Sequence, residues 1–208
     1  MSIMAERPPL YGLLMMGGQS QRMLTDKAWL DYHGKPQFQV TYELLHGLCQ
    51  QVYLSVRPDQ DVNALRQILP DAPLILDRFL GFGPLGGLLS AQITKPHAAW
   101  LVLACDLPQM DIKSLQMLCF QRQKQVTSFV SPFDGKSEPL CAIYEPETHS
   151  TALAQLQSNH HCLRKLIKRV PHHLIEAPDP QVLANANTPD DYQHVKALLA
   201  QKDVPLYV

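Results

Sequence analysis

Residues 98–104, AAWLVLA, put no polar side chain into seven consecutive positions. A strand made from them has no face that could meet water. The run therefore predicts a strand buried on both sides, as in a parallel sheet covered by helices. It stops at Cys105-Asp106-Leu107-Pro108, where a carboxylate and a proline leave the apolar layer together. Residues 10–16, Val52–Val56 and Leu74–Leu76 predict further short strands, the first of them ended by Gly17 and Gly18. Between the strands the apolar period changes. Val40, Leu44, Leu45 and Leu48 share a helical face after Pro36, residues 61–69 and 84–93 suit helices, and Asp111 can cap a helix on which Ile112, Leu115, Leu118 and Cys119 align.

In the second half, Val126–Val130 and residues 139–144 bracket the polar turn Asp134-Gly135-Lys136, which predicts strands that need not run parallel to the rest. Residues 151–156 and 162–170 suit helices, with His160 and His161 between them. Thr188-Pro189-Asp190-Asp191 supplies the cap, the N1 proline and the acidic N3 residue of a last helix. Strands alternating with helices predict an α/β fold with a mainly parallel sheet and helices on both faces. In such sheets ligands bind beyond the carboxyl ends of the strands, so chemistry is expected in the loops after Met16, Val56, Leu76 and Ala104.

Composition narrows the function classes. Lys plus Arg number 18 against 19 Asp plus Glu, which gives neither a basic nucleic-acid face nor a polyanionic tail. Five cysteines without a CxxC pair read as reduced, buried thiols of a cytoplasmic protein. No apolar stretch reaches the roughly 18 residues that a membrane-spanning helix needs, and no secretory signal pattern opens the chain. The pairs His160-His161 and His172-His173 have no carboxylate or cysteine at helical ligand spacing and read as solvated loop histidines.

The loop GGQSQRMLTDK at residues 17–27 is neither of two familiar phosphate loops. It lacks the second glycine and the Gly-Lys-Ser/Thr ending of a P-loop, and the third glycine of the dinucleotide fingerprint. Its glycines let the backbone approach a ligand closely while Arg22 and Lys27 supply positive charge, which suits a triphosphate; a plain strand-to-loop turn with solvated charges is the other reading.

GGxSxRM, then Asp26-Lys27-Ala28, then Gly34-Lys35-Pro36 directly after the first strand resembles the N-terminal signature of the molybdenum cofactor guanylyltransferases, the MobA family. Three later elements extend the resemblance in order: Asp77 ahead of GFGPLGG, LACDLP at residues 103–108, and Asn185-Ala186-Asn187-Thr188-Pro189. It implies one MobA-like nucleotidyltransferase domain over residues 1–208, with a nucleotide half at about 10–108 and an acceptor half at about 109–208. The implied fold is a Rossmann-like three-layer sandwich of the nucleotide-diphospho-sugar transferase kind. The implied reaction moves GMP from GTP to the phosphate of the molybdenum-molybdopterin cofactor with Mg2+, in the cytoplasm, without nucleic acid or membrane, the acceptor arriving free or on a carrier protein.

The resemblance also assigns residues. Lys27 matches the triphosphate lysine and Arg22 supports the same phosphates. Asp106 matches the metal-binding catalytic carboxylate, though a cap for the following turn would also explain it. Backbone groups of Met15, Met16, Gly17 and Gly18 would meet base and ribose, the second glycine going with guanine where related cytidylyltransferases carry LAAG. Ser55 is a polar nucleotide contact and Asp77 stands near the base. Arg57, Glu138, Asn185 and Asn187 fall on the acceptor or metal side; a solvated charge for Arg57 and turn formation for the asparagines are equal alternatives.

Two departures matter. Leu24 stands where the family has glycine, which costs on the order of 1 kcal/mol if the backbone there is left-handed, and Met16 stands where alanine is usual. They open the alternatives of a diverged paralogue that binds nucleotide or pterin without efficient turnover, and of cytidylyl or another nucleotidyl transfer on the same fold.

Overall fold

The all-apolar run becomes β4, Ala99–Ala104, and every residue of it is buried. The computed structural model describes residues 7–16 and 27–202, so the expectations placed on Gly17, Gly18, Arg22, Leu24 and Asp26 lie outside the described residues. The sheet comprises β1 (Leu10–Met15), β2 (Val52–Val56), β3 (Leu74–Leu76), β4, β5 (Val126–Val130), β6 (Ser137–Tyr144) and β7 (His172–Ile175). Its order is β3-β2-β1-β4-β6-β5-β7. The first four strands are mutually parallel, β6 runs antiparallel to β4 and β5, and β7 returns parallel to β5.

Alternation along the strands builds two cores. Leu101 and Leu103 face Phe38, Leu44 and Leu45 of α1 (Gln37–His46) and Leu115 and Leu118 of α4 (Ile112–Phe120). Trp100 and Val102 face the other way, toward Leu85, Leu88 and Leu89 of α3 (Pro84–Thr94) and Leu166 of α6 (Leu163–Arg169). Each fully buried side chain of this size contributes about 1.5–3 kcal/mol, so a helix on either face is required by the strand itself. With α2 (Val62–Ile68) on the first face and α5 (Thr148–Gln157) on the second, the result is the expected three-layer α/β sandwich. The last helix, α7 (Pro189–Lys202), packs elsewhere, against residues 30–32.

The chain winds β1 to β2 to β3 in one direction and then places β4 on the far side of β1. That reversal opens a crevice at the carboxyl ends of β1 and β4, the place where open α/β sheets bind ligands. Met15 pairs with Ser55 on one side and with Ala104 on the other, so three of the four strands whose carboxyl ends were expected to lead into chemistry end side by side. At the opposite end of the sheet Arg122 donates two hydrogen bonds to Glu145, at 2.5 and 2.8 Å, and a third to the Pro8 carbonyl at 2.9 Å.

Two expectations need correction. His172 and His173 lie on the edge strand β7, because a four-residue strand with only Leu174 and Ile175 apolar shows no readable alternation. The thiols are not uniformly buried: Cys105 and Cys141 are, Cys49 and Cys119 are half-buried, and Cys162 is exposed just ahead of α6.

Candidate active site

Asp106 sits two residues past the end of β4, half-buried, and its carbonyl accepts the Ala186 N–H at 3.1 Å. That bond clips the Asn-Ala-Asn-Thr-Pro segment onto the strand end. Burial pushes the Asp106 carboxyl above the usual carboxylate range, and the Lys27 ammonium acts against the shift. Lys27 opens a short 3-10 turn, Lys27–Trp29, and donates to Asn187 Oδ1.

The start of α7 holds Asn187 in place. Asp191 Oδ2 accepts the N–H groups of Asn187 at 2.9 Å and Thr188 at 2.8 Å, and the Asp191 N–H donates to Thr188 Oγ1 at 3.1 Å. This is the reciprocal capping arrangement expected from Thr188 and Asp191. Tyr32, Ala186 and Val195 pack into a small third core under it, with the Tyr32 and Tyr192 rings 4.9 Å apart and the Tyr192 hydroxyl donating to the Asp31 carbonyl at 2.9 Å. On the other side His33 Nε2 donates to the Pro108 carbonyl at 3.0 Å, tying the loop before α1 to the loop after Asp106.

Glu138 flanks Asp106. Leu103 pairs with Cys141; three residues on, just past the end of β4, stands Asp106, and three back in β6 stands Glu138. Glu138 is buried, and burial raises its pKa, with the Asp106 charge adding to the rise and Arg164 opposing it. Arg164 Nη2 lies 3.8 Å from Glu138 Oε2, while its other nitrogens donate to the Ser137 carbonyl at 3.0 Å and Asp134 at 3.2 Å.

A second group gathers around the start of α3. A Cβ added at Gly87 would lie 2.7 Å from Ser55 Oγ and 3.1 Å from Met15 Sδ, so only glycine lets the helix approach the ends of β1 and β2 this closely. A Cβ at Gly86 would lie 2.5 Å from the Phe79 carbonyl and 2.9 Å from Asp77 Oδ1. Asp77 accepts the Phe79 N–H at 2.9 Å, and burial raises its pKa. The intervening loop is tied across to the α5–α6 connection, where His161 stacks on Phe82 at 4.4 Å and donates from Nδ1 to the Gly81 carbonyl at 3.0 Å.

The structure thus brings together Lys27, Asp106, Glu138 and Asn187 on one side, and Met15, Ser55 and Asp77 on the other, with Met16 buried just after β1. Asn185 is exposed beside Ala186. Arg57 follows β2, two strands from β4, and pairs with Asp59 at 3.0 Å. Among the described residues no cluster of three or more His, Cys, Asp or Glu side chains could hold a metal ion, and no helix is long and apolar enough to cross a membrane. Sequence reasoning missed Tyr32, His33, Arg164 and the link between Lys27 and the α7 cap. The cap was legible by spacing; its partner 160 residues earlier was not.

The family model for the MobA-like NTP transferase domain matches residues 12–205. A molybdenum cofactor biosynthesis bifunctional protein of Synechocystis sp. is 34% identical over 189 residues, which cover 90% of this chain and 54% of that protein. The chain therefore spans about half the length of that relative. A probable molybdenum cofactor guanylyltransferase of Methanothermobacter thermautotrophicus is 31% identical over 186 residues, covering 86% of this chain and 94% of its own. The crystal structure of molybdopterin-guanine dinucleotide biosynthesis protein A from Archaeoglobus fulgidus shares the fold, with a TM-score of 0.75 at 17% identity and coverage of 92% and 99%. By the match along almost its whole length, the chain belongs to the MobA-like NTP transferase domain family.

Proposed function

We propose that this protein is a nucleotidyltransferase of molybdenum cofactor biosynthesis, moving GMP from GTP to the phosphate of the molybdenum-molybdopterin cofactor and releasing pyrophosphate. The observation that carries the reading is the meeting of Lys27, Asp106 and Asn187 at the carboxyl end of β4, beside the strand that leads into the glycine loop.

In the reaction an acceptor phosphate oxygen forms a bond to the α-phosphorus of GTP, and the bond to the bridging oxygen breaks. Pyrophosphate leaves with the electron pair. Both reactants are anionic, so positioning and charge neutralisation supply most of the acceleration. Lys27 would exchange the Asn187 oxygen for triphosphate oxygens. The donors near Asp106 are hard oxygens, one carboxylate and one amide, and they fit Mg2+, which binds one or two carboxylates with phosphate oxygens and water. When bound, Mg2+ neutralises the phosphates. Asp106, whose burial disfavours an unpartnered negative charge, would hold it, with Asn187 the second protein oxygen. Ser55 and Asp77, together with the backbone of Met15 and Met16, would meet ribose and guanine, the close packing at Gly87 keeping that side narrow. Glu138 lies on the acceptor side of Asp106.

The test incubates purified protein with Mg2+, the molybdenum-molybdopterin acceptor and each of GTP, CTP and ATP, and follows pyrophosphate. Release with GTP alone supports the reading. Release with CTP instead replaces guanylyl by cytidylyl transfer, and GTP binding without release makes the protein a diverged binder.

A further inference from the structure

Asp191 closes the capping box of α7 and has no part in the chemistry described so far. One of its oxygens accepts two consecutive N–H groups, those of Asn187 at 2.9 Å and Thr188 at 2.8 Å. Two bonds from one oxygen to adjacent amides fix the peptide plane between those residues. They thereby fix the direction in which the Asn187 side chain leaves the backbone, and that side chain receives the Lys27 ammonium. Lys27 also acts electrostatically on Asp106 and on Asp191 itself, so its charge lies within reach of all three groups. The Tyr32–Tyr192 contact and the Tyr192 bond to Asp31 hold the same two chain segments together on the far side.

We infer that Asp191 is a positioning residue of the site: by fixing the Asn187–Thr188 peptide it keeps Lys27 beside Asp106, where a triphosphate takes the lysine over. This rests on Lys27 being the triphosphate lysine.

The test reads Lys27 directly and needs no nucleotide. Purified variants are labelled with an acetyl N-hydroxysuccinimide ester, and mass spectrometry follows the rate at Lys27 against Lys35. A single lost hydrogen bond sets the scale, so Asp191→Ala and Asn187→Ala should label Lys27 about five-fold faster than the parent protein, and the double variant no faster than either. Asp191→Asn, whose amide oxygen can accept the same two N–H groups, should stay within about two-fold of the parent. Thr188→Ala removes the reciprocal cap bond but leaves both Asp191 contacts, and should behave likewise. In steady-state assays Asp191→Ala should raise the KM for GTP while Asp191→Asn restores it.

Unchanged labelling in Asp191→Ala overturns the inference, and so does equal acceleration in Thr188→Ala, which would mean helix fraying alone. Should Asp191→Ala fail to fold, Asp191→Ser, whose shorter side chain cannot reach both N–H groups, carries the same expectation. Added GTP should slow Lys27 labelling in the parent protein. If it does not, the nucleotide reading fails, whatever the ligand-free comparison shows.

Discussion

The two ends of the sheet each hold a cluster of charge, and the clusters are built in opposite ways. At the amino end of β1 and β4, Arg122 and Glu145 are buried against each other, joined by two hydrogen bonds, with a backbone carbonyl taking a third. At the carboxyl end, Asp106 and Glu138 are both pushed above the usual carboxylate range by burial, and the Asp106 charge adds to the rise at Glu138. Lys27 and Arg164 oppose those shifts without cancelling them. A buried pair that is fully matched locks two segments together. Carboxylates that burial disfavours and that Lys27 and Arg164 do not fully match leave the carboxyl end suited to a charged ligand, as the proposed function requires.

This contrast can be broken at either end. The largest effect is expected from Asp106→Ala, which should lower pyrophosphate release about 1,000-fold, since it removes the carboxylate proposed to hold the neutralising cation. Its thermal stability should not fall, because the group removed is a half-buried carboxylate that burial disfavours. Arg122→Ala should do the reverse: leaving Glu145 buried without its partner should cost about 3–5 kcal/mol in denaturant unfolding, with the KM for GTP unchanged in whatever protein remains folded.

Smaller changes sharpen the comparison. Gly86→Ala would drive a Cβ to 2.5 Å from the Phe79 carbonyl. A backbone atom cannot swing away, so the loop carrying Asp77 must shift, costing about 1–3 kcal/mol in unfolding experiments and raising the KM for GTP. The mildest test is a pH titration. The Asp77 carboxyl is raised by burial, so the folded protein binds its proton more tightly than the unfolded chain. Stability of the ligand-free protein should therefore fall as pH rises from the ordinary carboxylate value near 3.8 through the raised folded value, and level off above it. Asp77→Asn should remove that part of the slope.

How much of this was legible in the sequence follows from where the signal lies. The all-apolar run at residues 98–104 could only be a doubly buried strand, and Asp111, Thr188 and Asp191 announced helix starts because capping is local. The mainly parallel sheet with helices on both faces followed from alternation of period; the order of strands within it did not. What spacing could not show was convergence. Nothing in the neighbourhood of Lys27 indicates Asn187, and nothing around Glu138 indicates that the antiparallel return of β6 brings it opposite Asp106. The β7 strand escaped because two histidines occupy half of it, and strand pairing with β5, not residue pattern, makes it a strand. Met15, Ser55 and Asp77 were picked out by resemblance. The reason two glycines follow Pro84 and Leu85 became visible only from the atoms that a Cβ would meet.

The central claim is that the crowded carboxyl end of β4 transfers a guanylyl group. Mass spectrometry of the acceptor after incubation with GTP and Mg2+ tests it most directly. The account predicts an acceptor heavier by one GMP, with an equal amount of pyrophosphate, and both formed about 1,000-fold more slowly by Asp106→Ala. An acceptor of unchanged mass, or guanylylation as fast in Asp106→Ala as in the parent protein, would contradict it.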